Sequence, residues 1–490
     1  MIIQPNSLLK SHLLTVVTPI FAFWTVLFFL GYPLPGIDDI FFTGSAINLA
    51  QGGEFTNPYL EAWNSALSSG KYYFQPPFHS YTLAAWLKIA GVSTTSLRLF
   101  QYLCYNLFSL SCALLLRFYG FPRITALCTT VFFAVWQCNP NFFYSPGFRQ
   151  DALGMAYLAF GLWLLTKDNW WRYFLGFTFL ESAVFTSPIT SAYGFSFGIS
   201  ILTINFIYRN KNKSNAQYLT TIYLALLAST GLVFTIFLVC INFELQTFLS
   251  DFLLTASWRQ TATFKGFYLF ITIISRSYGI ILNLPTYVLF LFLSFLLFLK
   301  RKSIPLHIKF LFFGLTLGII LNIFLYAFAI GFNFFFCWLG IVTIISKFGW
   351  HKNIKTIISA IAILVFLSSQ SLNIIFLIGK EYEPESSYQK IREFVIANPY
   401  KKYAIDETAA RFVFDYRLPK NSTSWTFMQP PIGVAPISLE DKPPDITWIV
   451  SKFRLEERFP KMLIDCPKIE FFGRIFNSLP KNPFDITIIP

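Results

Sequence analysis

Long apolar runs, separated by short polar segments, dominate the first 379 residues of the chain. A membrane-spanning helix needs about 20 mostly apolar residues, and about eleven runs approach this length. The pattern therefore predicts an all-α, polytopic membrane protein. The predicted spans are residues 12–31, 98–117, 122–139, 152–167, 173–188, 189–208, 218–240, 284–299, 306–328, 329–346 and 354–378.

Two further apolar stretches, residues 78–90 and 267–282, are too short or too interrupted to be counted as spans. Lys88 interrupts the first stretch, and Arg276 and Gly279 interrupt the second. Counting either stretch alone as a span would place basic clusters on the wrong side of the membrane. We expect both to form juxtamembrane helices on the outer face.

Residues 380–490 differ sharply in composition from the residues before them. The pattern there predicts a small α/β domain outside the membrane, joined to a membrane domain of residues 1–379. One segment has helical spacing and three have the pattern of strands. These segments are residues 388–396 for the helix, and 402–405, 446–450 and 484–489 for the strands.

The charge distribution predicts which side of the membrane each loop occupies. The chain has a net charge of +14, and residues 1–379 hold 22 basic but only 9 acidic residues. Short basic clusters between apolar runs are typical of cytoplasmic loops, so the positive charge argues against a nucleic-acid partner. The clusters are Arg117/Arg123, Lys167/Arg172, Arg209/Lys211/Lys213, Lys300/Arg301/Lys302 and Lys347/Lys352/Lys355.

If every basic cluster is cytoplasmic, the N-terminus lies inside the cell and the C-terminal region lies outside. The first span is then an uncleaved anchor. The outer segments are residues 32–97, 140–151 and 241–283, together with everything after about residue 380. We expect the protein in the inner or plasma membrane of a bacterial cell.

The cysteines give no sign of a disulfide or a metal site. The seven cysteines are scattered and contain no Cys-x-x-Cys pair, so most are expected to be buried thiols. Carboxylates that cluster on the outer face leave a divalent metal open, but no ligand spacing demands one. No cofactor is predicted from the sequence.

The acidic residues of the membrane part concentrate on the predicted outer face. Seven of the nine face outward, while Asp168 falls in a cytoplasmic loop and Glu181 falls inside a span. A carboxylate in hydrocarbon costs about 2.5–3.5 kcal/mol on insertion scales, so such groups persist where water, partners or chemistry compensate. We therefore expect the chemistry at the outer face.

The first candidate stretch, PGIDDIFF, places Asp38 and Asp39 directly after the first span. The pair opens an apparent helix with apolar positions at Phe42, Ala46 and Leu49. One interpretation is structural, because an acid caps a helix and suits the helix dipole. The side chains of adjacent helical residues point about 100° apart, so one acid can cap the helix while the other takes part in the chemistry of the site.

The second candidate stretch is YYFQPPFHSYTLAAW, residues 72–86. Its two prolines predict an extended entry to a helix. His79 could donate a hydrogen bond to a phosphate or a sugar. The alternative is an aromatic anchor at the membrane–water interface, formed by Tyr72, Tyr73, Tyr81 and Trp86.

The third candidate stretch is SPGFRQDALG, residues 145–154, which contains Arg149 and Asp151. Such a pair can be a plain ion bridge at a helix N-terminus. In the functional interpretation, Arg149 binds a phosphate through its planar fork and Asp151 orients a sugar or the first acid.

At these three stretches the sequence resembles the GT-C class of integral-membrane glycosyltransferases. Within this class it resembles bacterial relatives of the protein O-mannosyltransferases, of the family 39 type, and the lipid A aminoarabinose transferases. That family has an acidic pair after the first span, a Tyr-Phe-x-x-Pro-x-x-x-Tyr element before the second, and an Asp in the outer loop after the third. The matching residues here are Asp38, Asp39, Tyr73, Phe74, Pro77, Tyr81 and Asp151.

The sequence departs from the aminoarabinose transferases at one position. Those enzymes carry a Lys just before the proline that corresponds to Pro77, whereas this chain has Pro76. The contact with phosphate must then come from another basic residue of the outer face. The candidates are Arg149, Arg259, Lys265 and Arg276.

The resemblance implies transfer of a sugar from a polyprenyl-phosphate donor to a hydroxyl of a glycan, lipid or protein acceptor. Asp38, together with Asp39, would be the base, Arg149 the phosphate partner and Asp151 an orienting acid. Tyr73, Pro77, His79 and Tyr81 would line the substrate site. A single displacement would invert the anomeric carbon.

Two other classes of function remain open on the sequence. A transporter or flippase is suggested by Glu181 inside a span, with Ser187-Pro188 nearby, although Glu181 also suits a hydrogen-bonded structural acid. A polymerase or ligase of surface polysaccharide is suggested by the basic outer loop 241–283.

Overall fold

The computed structural model describes most of the helices and strands of the chain. The described residues are 5–29, 39–58, 60, 67–118, 126, 148–166, 169–209, 215–259, 284–299, 306–325, 337, 340, 341, 343–345, 353, 354, 356, 357, 360, 361, 384–405, 425–427, 445–451, 468–471, 474–477 and 486–489.

The regular secondary structure described within residues 1–379 consists of helices. Its helices are α1 (Pro5–Phe29), α2 (Asp39–Ala50), α3 (Pro77–Ala90), α4 (Thr94–Phe118), α5 (Gln150–Leu164), α6 (Trp170–Val184), α7 (Pro188–Arg209), α8 (Asn215–Cys240), α9 (Leu245–Arg259), α10 (Leu284–Leu299) and α11 (Leu306–Leu325). A further helix, α12 (Pro384–Ala397), precedes the strands.

Two of the described helices are long and apolar enough to cross a membrane, Thr94–Phe118 and Thr220–Cys240. Three of the predicted spans, residues 122–139, 329–346 and 354–378, lie largely outside the described residues. The total of about eleven spans therefore stays a prediction. Shorter apolar helices lie at Val17–Phe29, Phe41–Ala50 and Lys309–Asn322.

Helix α8 presents apolar side chains to its surroundings along much of its length. Leu227 is 68% exposed, and Leu224 and Val239 are more than half exposed. Leaving such side chains in water is unfavourable, whereas lipid accommodates them. The surface of α8 is therefore suited to hydrocarbon.

The helical core forms where α4 to α8 and α11 pack together. Helix α5 lies between α4 and α6, α6 contacts α8, and α7 packs along α11. Phe177, Tyr193 and Leu315 are among the buried side chains of this cluster.

Two glycines set the distance between α5 and α6. A Cβ atom on Gly161 would lie 2.8 Å from the carbonyl oxygen of Gly176. A Cβ atom on Gly176 would lie 2.8 Å from side-chain atoms of Leu165. Small residues at such contacts let helix backbones approach closely in membrane proteins. The α5–α6 contact therefore depends on the absence of side chains at both positions.

Helix α1 is fixed to α4 by a polar and aromatic contact. The indole N–H of Trp24 donates to Ser109 Oγ at 2.9 Å, and its ring stacks on Tyr105 with a centroid separation of 4.8 Å. Helix α2 then lies against α3, and Ser45 Oγ is 2.9 Å from Ser80 Oγ. These contacts hold α1 against α4 and α2 against α3.

The start and end of α3 follow from its sequence. Pro77 is at the first helical position, where the missing N–H has no intrahelical partner to lose. Gly91 follows the last residue with φ of +80°, a conformation that favours glycine. The predicted juxtamembrane helix at 78–90 is thus confirmed as a helix, while the stretch 267–282 lies outside the described residues.

The C-terminal region contains a four-stranded mixed sheet in the order β2-β1-β3-β6. Strand β1 is parallel to β2 and to β3, and β3 is antiparallel to β6. Strands β4 and β5 form a separate antiparallel pair. The strands are β1 (Lys402–Ile405), β2 (Trp425–Phe427), β3 (Ile446–Ser451), β4 (Lys468–Phe471), β5 (Arg474–Asn477) and β6 (Ile486–Ile489).

The sequence pattern located four of these C-terminal elements. The predicted helix at 388–396 lies within α12, and the predicted strands coincide with β1, β3 and β6. Strands β2, β4 and β5 were not predicted. The division into separate domains of residues 1–379 and 380–490 stays a prediction.

Replacing Gly161 by Ala should destabilise the protein by about 1–3 kcal/mol, because the new methyl group meets backbone rather than a movable side chain. The expected result is a lower unfolding temperature in detergent. Gly231→Ala in α8 is the matched control, since a Cβ there meets nothing within 4 Å. Equal unfolding temperatures for the two variants would contradict the close α5–α6 contact.

Candidate active site

The candidate site forms where the beginnings of several helices meet. Asp39 begins α2, the segment before α3 carries Gln75, and residues 148–151 lead into α5. Ser187 immediately precedes α7. Side-chain hydrogen bonds join these segments.

Asp39 connects the first of these segments to the third. Its side chain is fully buried, and its Oδ1 accepts a hydrogen bond from the backbone N–H of Phe148 at 2.8 Å. Its backbone oxygen accepts from the hydroxyl of Thr43 at 2.7 Å, within the first turn of α2. The acidic stretch and the Arg-Asp stretch are therefore on the same side of the protein, as the charge pattern predicted.

Arg149 and Asp151 form the ion pair that the sequence suggested. Arg149 Nε donates to Asp151 Oδ2 at 2.8 Å, and the guanidinium lies over the ring of Phe42, 4.8 Å from its centroid. The second carboxylate oxygen of Asp151 accepts a short hydrogen bond from Ser187. Asp151 is buried with both oxygens engaged, while the side chain of Arg149 remains 15% exposed.

A group of neutral polar side chains lies beside this ion pair. Gln150 Nε2 donates to Gln75 Oε1 at 2.7 Å, and both residues are buried. His79, on the first turn of α3, is also buried, and its ring contacts Phe100 edge to face. Gln75 Nε2 and both ring nitrogens of His79 lack a hydrogen bond of ordinary geometry.

The imidazole of His79 is neutral at physiological pH. Burial lowers the pKa of His79 to about 4, although the charge of Asp151 and the backbone of Phe42 favour the protonated ring. A neutral imidazole has one donor nitrogen and one acceptor nitrogen.

The tyrosines of the second stretch contact the junction between α8 and α9. Tyr73 OH donates to Ile241 O and to Glu244 Oε2, at 3.1 Å and 3.0 Å, and Tyr81 OH donates to Cys240 O at 2.8 Å. Burial, with the neighbouring Glu244, raises the pKa of Tyr73, and burial raises the pKa of Tyr81 to about 12. Both hydroxyls thus hold this junction in place, and their contact with substrate stays a prediction.

Two acidic residues, Glu244 and Asp251, bind the segment of residues 68–73 near the same junction. Glu244 accepts from Lys71 Nζ at 2.6 Å, and hydrogen bonds from Lys71 and Tyr73 lower the pKa of Glu244. Asp251 accepts hydrogen bonds from the backbone N–H and hydroxyl groups of Ser68 and Ser69. Partial burial raises the pKa of Asp251, but these bonds outweigh it and lower the pKa overall.

Glu181 is hydrogen-bonded within the protein, as the structural interpretation of this residue requires. Thr230 donates to Glu181 Oε1 at 2.6 Å, joining α6 to α8. This bond fits a carboxyl that ties two helices together.

Several predicted site residues lie outside the described part of the chain. These are Asp38, Lys265 and Arg276, together with the side chain of Arg259, whose backbone ends α9. Within the described residues, no group of three His, Cys, Asp or Glu side chains could hold a metal ion.

Three site residues were missed by the sequence interpretation. Gln75 and Gln150 are neutral amides whose pairing joins the second stretch to the third. Ser187 stood out only as a helix interruption before Pro188, yet it binds Asp151. Gln75 and Gln150 lie inside the second and third candidate stretches, so their polar side chains next to the charged and aromatic residues were the available signal.

The sequence of this region matches a known protein family. The profile of the dolichyl-phosphate-mannose-protein mannosyltransferase family matches residues 74–234, which include Gln75, His79, Arg149, Asp151 and Ser187. A search among curated proteins found no match. The chain therefore carries a domain of the dolichyl-phosphate-mannose-protein mannosyltransferase family at residues 74–234 and is a membrane glycosyltransferase that uses a polyprenyl-phosphate sugar donor.

Proposed function

We propose that this protein transfers a sugar from the polyprenyl-phosphate donor to an acceptor hydroxyl at the extracytoplasmic face of the membrane. The acceptor is a glycan, a lipid or a protein. The observation that carries the proposal is the hydrogen bond from Phe148 to Asp39, which brings Asp39 close to the Arg149–Asp151 ion pair. A base and a phosphate-binding cation are the two groups that such a transfer needs.

The two acids of the pair have different roles in this proposal. Asp39 is buried and bound to a backbone amide, so it is suited to positioning. Asp38 is the general base, as the family resemblance suggests. It takes the proton of the acceptor hydroxyl while that oxygen bonds to the anomeric carbon. The bond from the anomeric carbon to the phosphate oxygen breaks, polyprenyl phosphate leaves, and the configuration inverts.

Arg149 stabilises the departing phosphate. Asp151 accepts a hydrogen bond from Arg149 Nε at 2.8 Å and the guanidinium carbon of Arg149 lies 4.8 Å from the centroid of the Phe42 ring, so two contacts fix the position of the fork. The side chain of Arg149 is partly exposed, which suits contact with a ligand. Asp151, held in turn by Ser187, is a positioning residue that orients this fork.

Asp38→Asn should lower sugar transfer at least about a hundredfold, because general-base catalysis contributes on that scale. Asp39→Asn should lower the unfolding temperature and reduce transfer less, because an amide oxygen can still accept from Phe148. The measurement is mass spectrometry of the glycolipids, glycans and glycoproteins of gene-deleted cells complemented with each variant.

Asp168→Asn, in the predicted cytoplasmic loop, is the matched control and should restore the glycan profile. If neither Asp38→Asn nor Asp39→Asn lowers transfer while the protein inserts and accumulates, the acidic pair does not provide the base.

Arg149→Gln should reduce transfer about 10²–10³-fold, the range expected when one group that stabilises transition-state charge is removed. Arg149→Lys should recover only part of this loss, because an ammonium lacks the fork that binds Asp151 and phosphate together. The same complementation measurement applies, with protein abundance determined by immunoblotting.

Lys71→Gln is the control for loss of a basic residue near the outer loop, since it removes a partly exposed ion pair with Glu244. A solvent-exposed pair of this kind contributes little to stability, so transfer should be retained. Full recovery of transfer by Arg149→Gln would contradict the role of Arg149 at the phosphate.

A further inference from the structure

The neutral polar group beside the ion pair has hydrogen-bonding atoms that the protein does not satisfy. His79 is 1% exposed and Gln75 is 2% exposed. Gln75 Nε2 and both ring nitrogens of His79 have no hydrogen bond of ordinary geometry among the described residues, although the backbone of Phe42 lies near the ring. A buried polar group left unpaired has lost its hydration without a hydrogen bond to compensate, which is unfavourable. Buried groups that carry such a cost are suited to a ligand that satisfies them.

The neighbouring buried polar residues of the same helix behave differently. Ser80, the residue after His79, is buried and its hydroxyl pairs with Ser45 at 2.9 Å. Gln150 is buried and its amide donates to Gln75. The unsatisfied atoms are therefore concentrated on two side chains rather than spread along the α2–α3 contact.

The unsatisfied atoms match the chemistry of a sugar hydroxyl. The NH₂ group of Gln75 is a donor, and a neutral imidazole offers one donor and one acceptor. A sugar hydroxyl both donates and accepts, so it can pair with either side of the ring. A phosphate only accepts and carries charge, and the cation placed to receive it is Arg149.

The position of these residues favours the sugar of the donor lipid over a sugar of the acceptor. Gln75 is bound to Gln150, which lies between Arg149 and Asp151 in the chain. His79 follows Gln75 by four residues and lies in the first turn of α3. A sugar attached to a phosphate on Arg149 would therefore lie within reach of both side chains.

We propose that His79 and Gln75 bind hydroxyl groups of the sugar carried by the polyprenyl-phosphate donor and so determine which sugar is accepted. This assignment rests on the proposed function. The two residues are specificity determinants, while the phosphate is bound separately by Arg149.

The test compares lipids with and without a sugar on the full-length protein in detergent. The probes are undecaprenyl phosphate and undecaprenyl phosphate carrying mannose, glucose, galactose or arabinose, and binding is measured by native mass spectrometry. The wild-type protein should bind at least one sugar-bearing lipid more tightly than undecaprenyl phosphate. His79→Leu and Gln75→Leu should each reduce that advantage about tenfold, as the loss of one hydrogen bond predicts, and leave the affinity for undecaprenyl phosphate unchanged.

Stability provides a second measurement that separates binding from structure. His79→Leu removes no protein hydrogen bond of ordinary geometry, so the lipid-free unfolding temperature should stay the same or rise. Ser80→Ala is the matched control on the same helix. It loses the bond to Ser45 and should lower the unfolding temperature without changing the sugar preference.

The inference is overturned if His79→Leu lowers the unfolding temperature and leaves the sugar preference intact. It is also overturned if the variants weaken sugar-bearing and sugar-free lipids equally, or if the wild-type protein shows no preference for any sugar-bearing lipid. Failure of the wild-type protein to bind undecaprenyl phosphate would instead contradict the proposed function.

Discussion

The hydrogen bond from Phe148 to the buried carboxylate of Asp39 is the constraint on which the site depends. It joins two segments that are 109 residues apart in the chain. Because Phe148 is followed directly by Arg149, the bond fixes Asp39 close to the phosphate-binding candidate. The Arg149–Asp151 pair and the Ser187 hydroxyl then extend the same network to the beginning of α7. Asp39, which the sequence suggests as a first-turn acid suited to the helix dipole, therefore also links two segments of the chain.

The meeting of Asp39 with Arg149 and Asp151 was predictable because charge patterning assigns loops to sides of a membrane. The partner of Asp39 was not predictable, since a backbone N–H has no signature in the sequence. Gln75 and Gln150 escaped notice for a related reason, because uncharged amides carry no strong cost that marks them as unusual. Asp38, on which the proposed base depends, lies outside the described residues.

The tyrosines show where a motif suggests more than one role. Tyr73 and Tyr81 suit a substrate site or an aromatic anchor, but their hydroxyls donate to the α8–α9 junction. A tyrosine combines an apolar ring with one polar tip, so a buried backbone oxygen satisfies it as well as a ligand does. The strands β1, β3 and β6 were predictable from their apolar pattern. Strand β2 has three residues, which is too short for a periodic signal.

The hydrogen bonds that join residues 68–73 to Glu244 and Asp251 also determine when this part of the fold can form during synthesis. Ser68 and Ser69 precede Asp251 by 183 and 182 residues, and Tyr73 precedes Glu244 by 171. At about 5–20 residues per second, roughly ten seconds or more pass between the synthesis of residues 68–73 and the synthesis of their hydrogen-bond partners. The serine hydroxyls and backbone amides of this segment must be held by water or other proteins meanwhile. These contacts therefore form only after Glu244 and Asp251 have been synthesised.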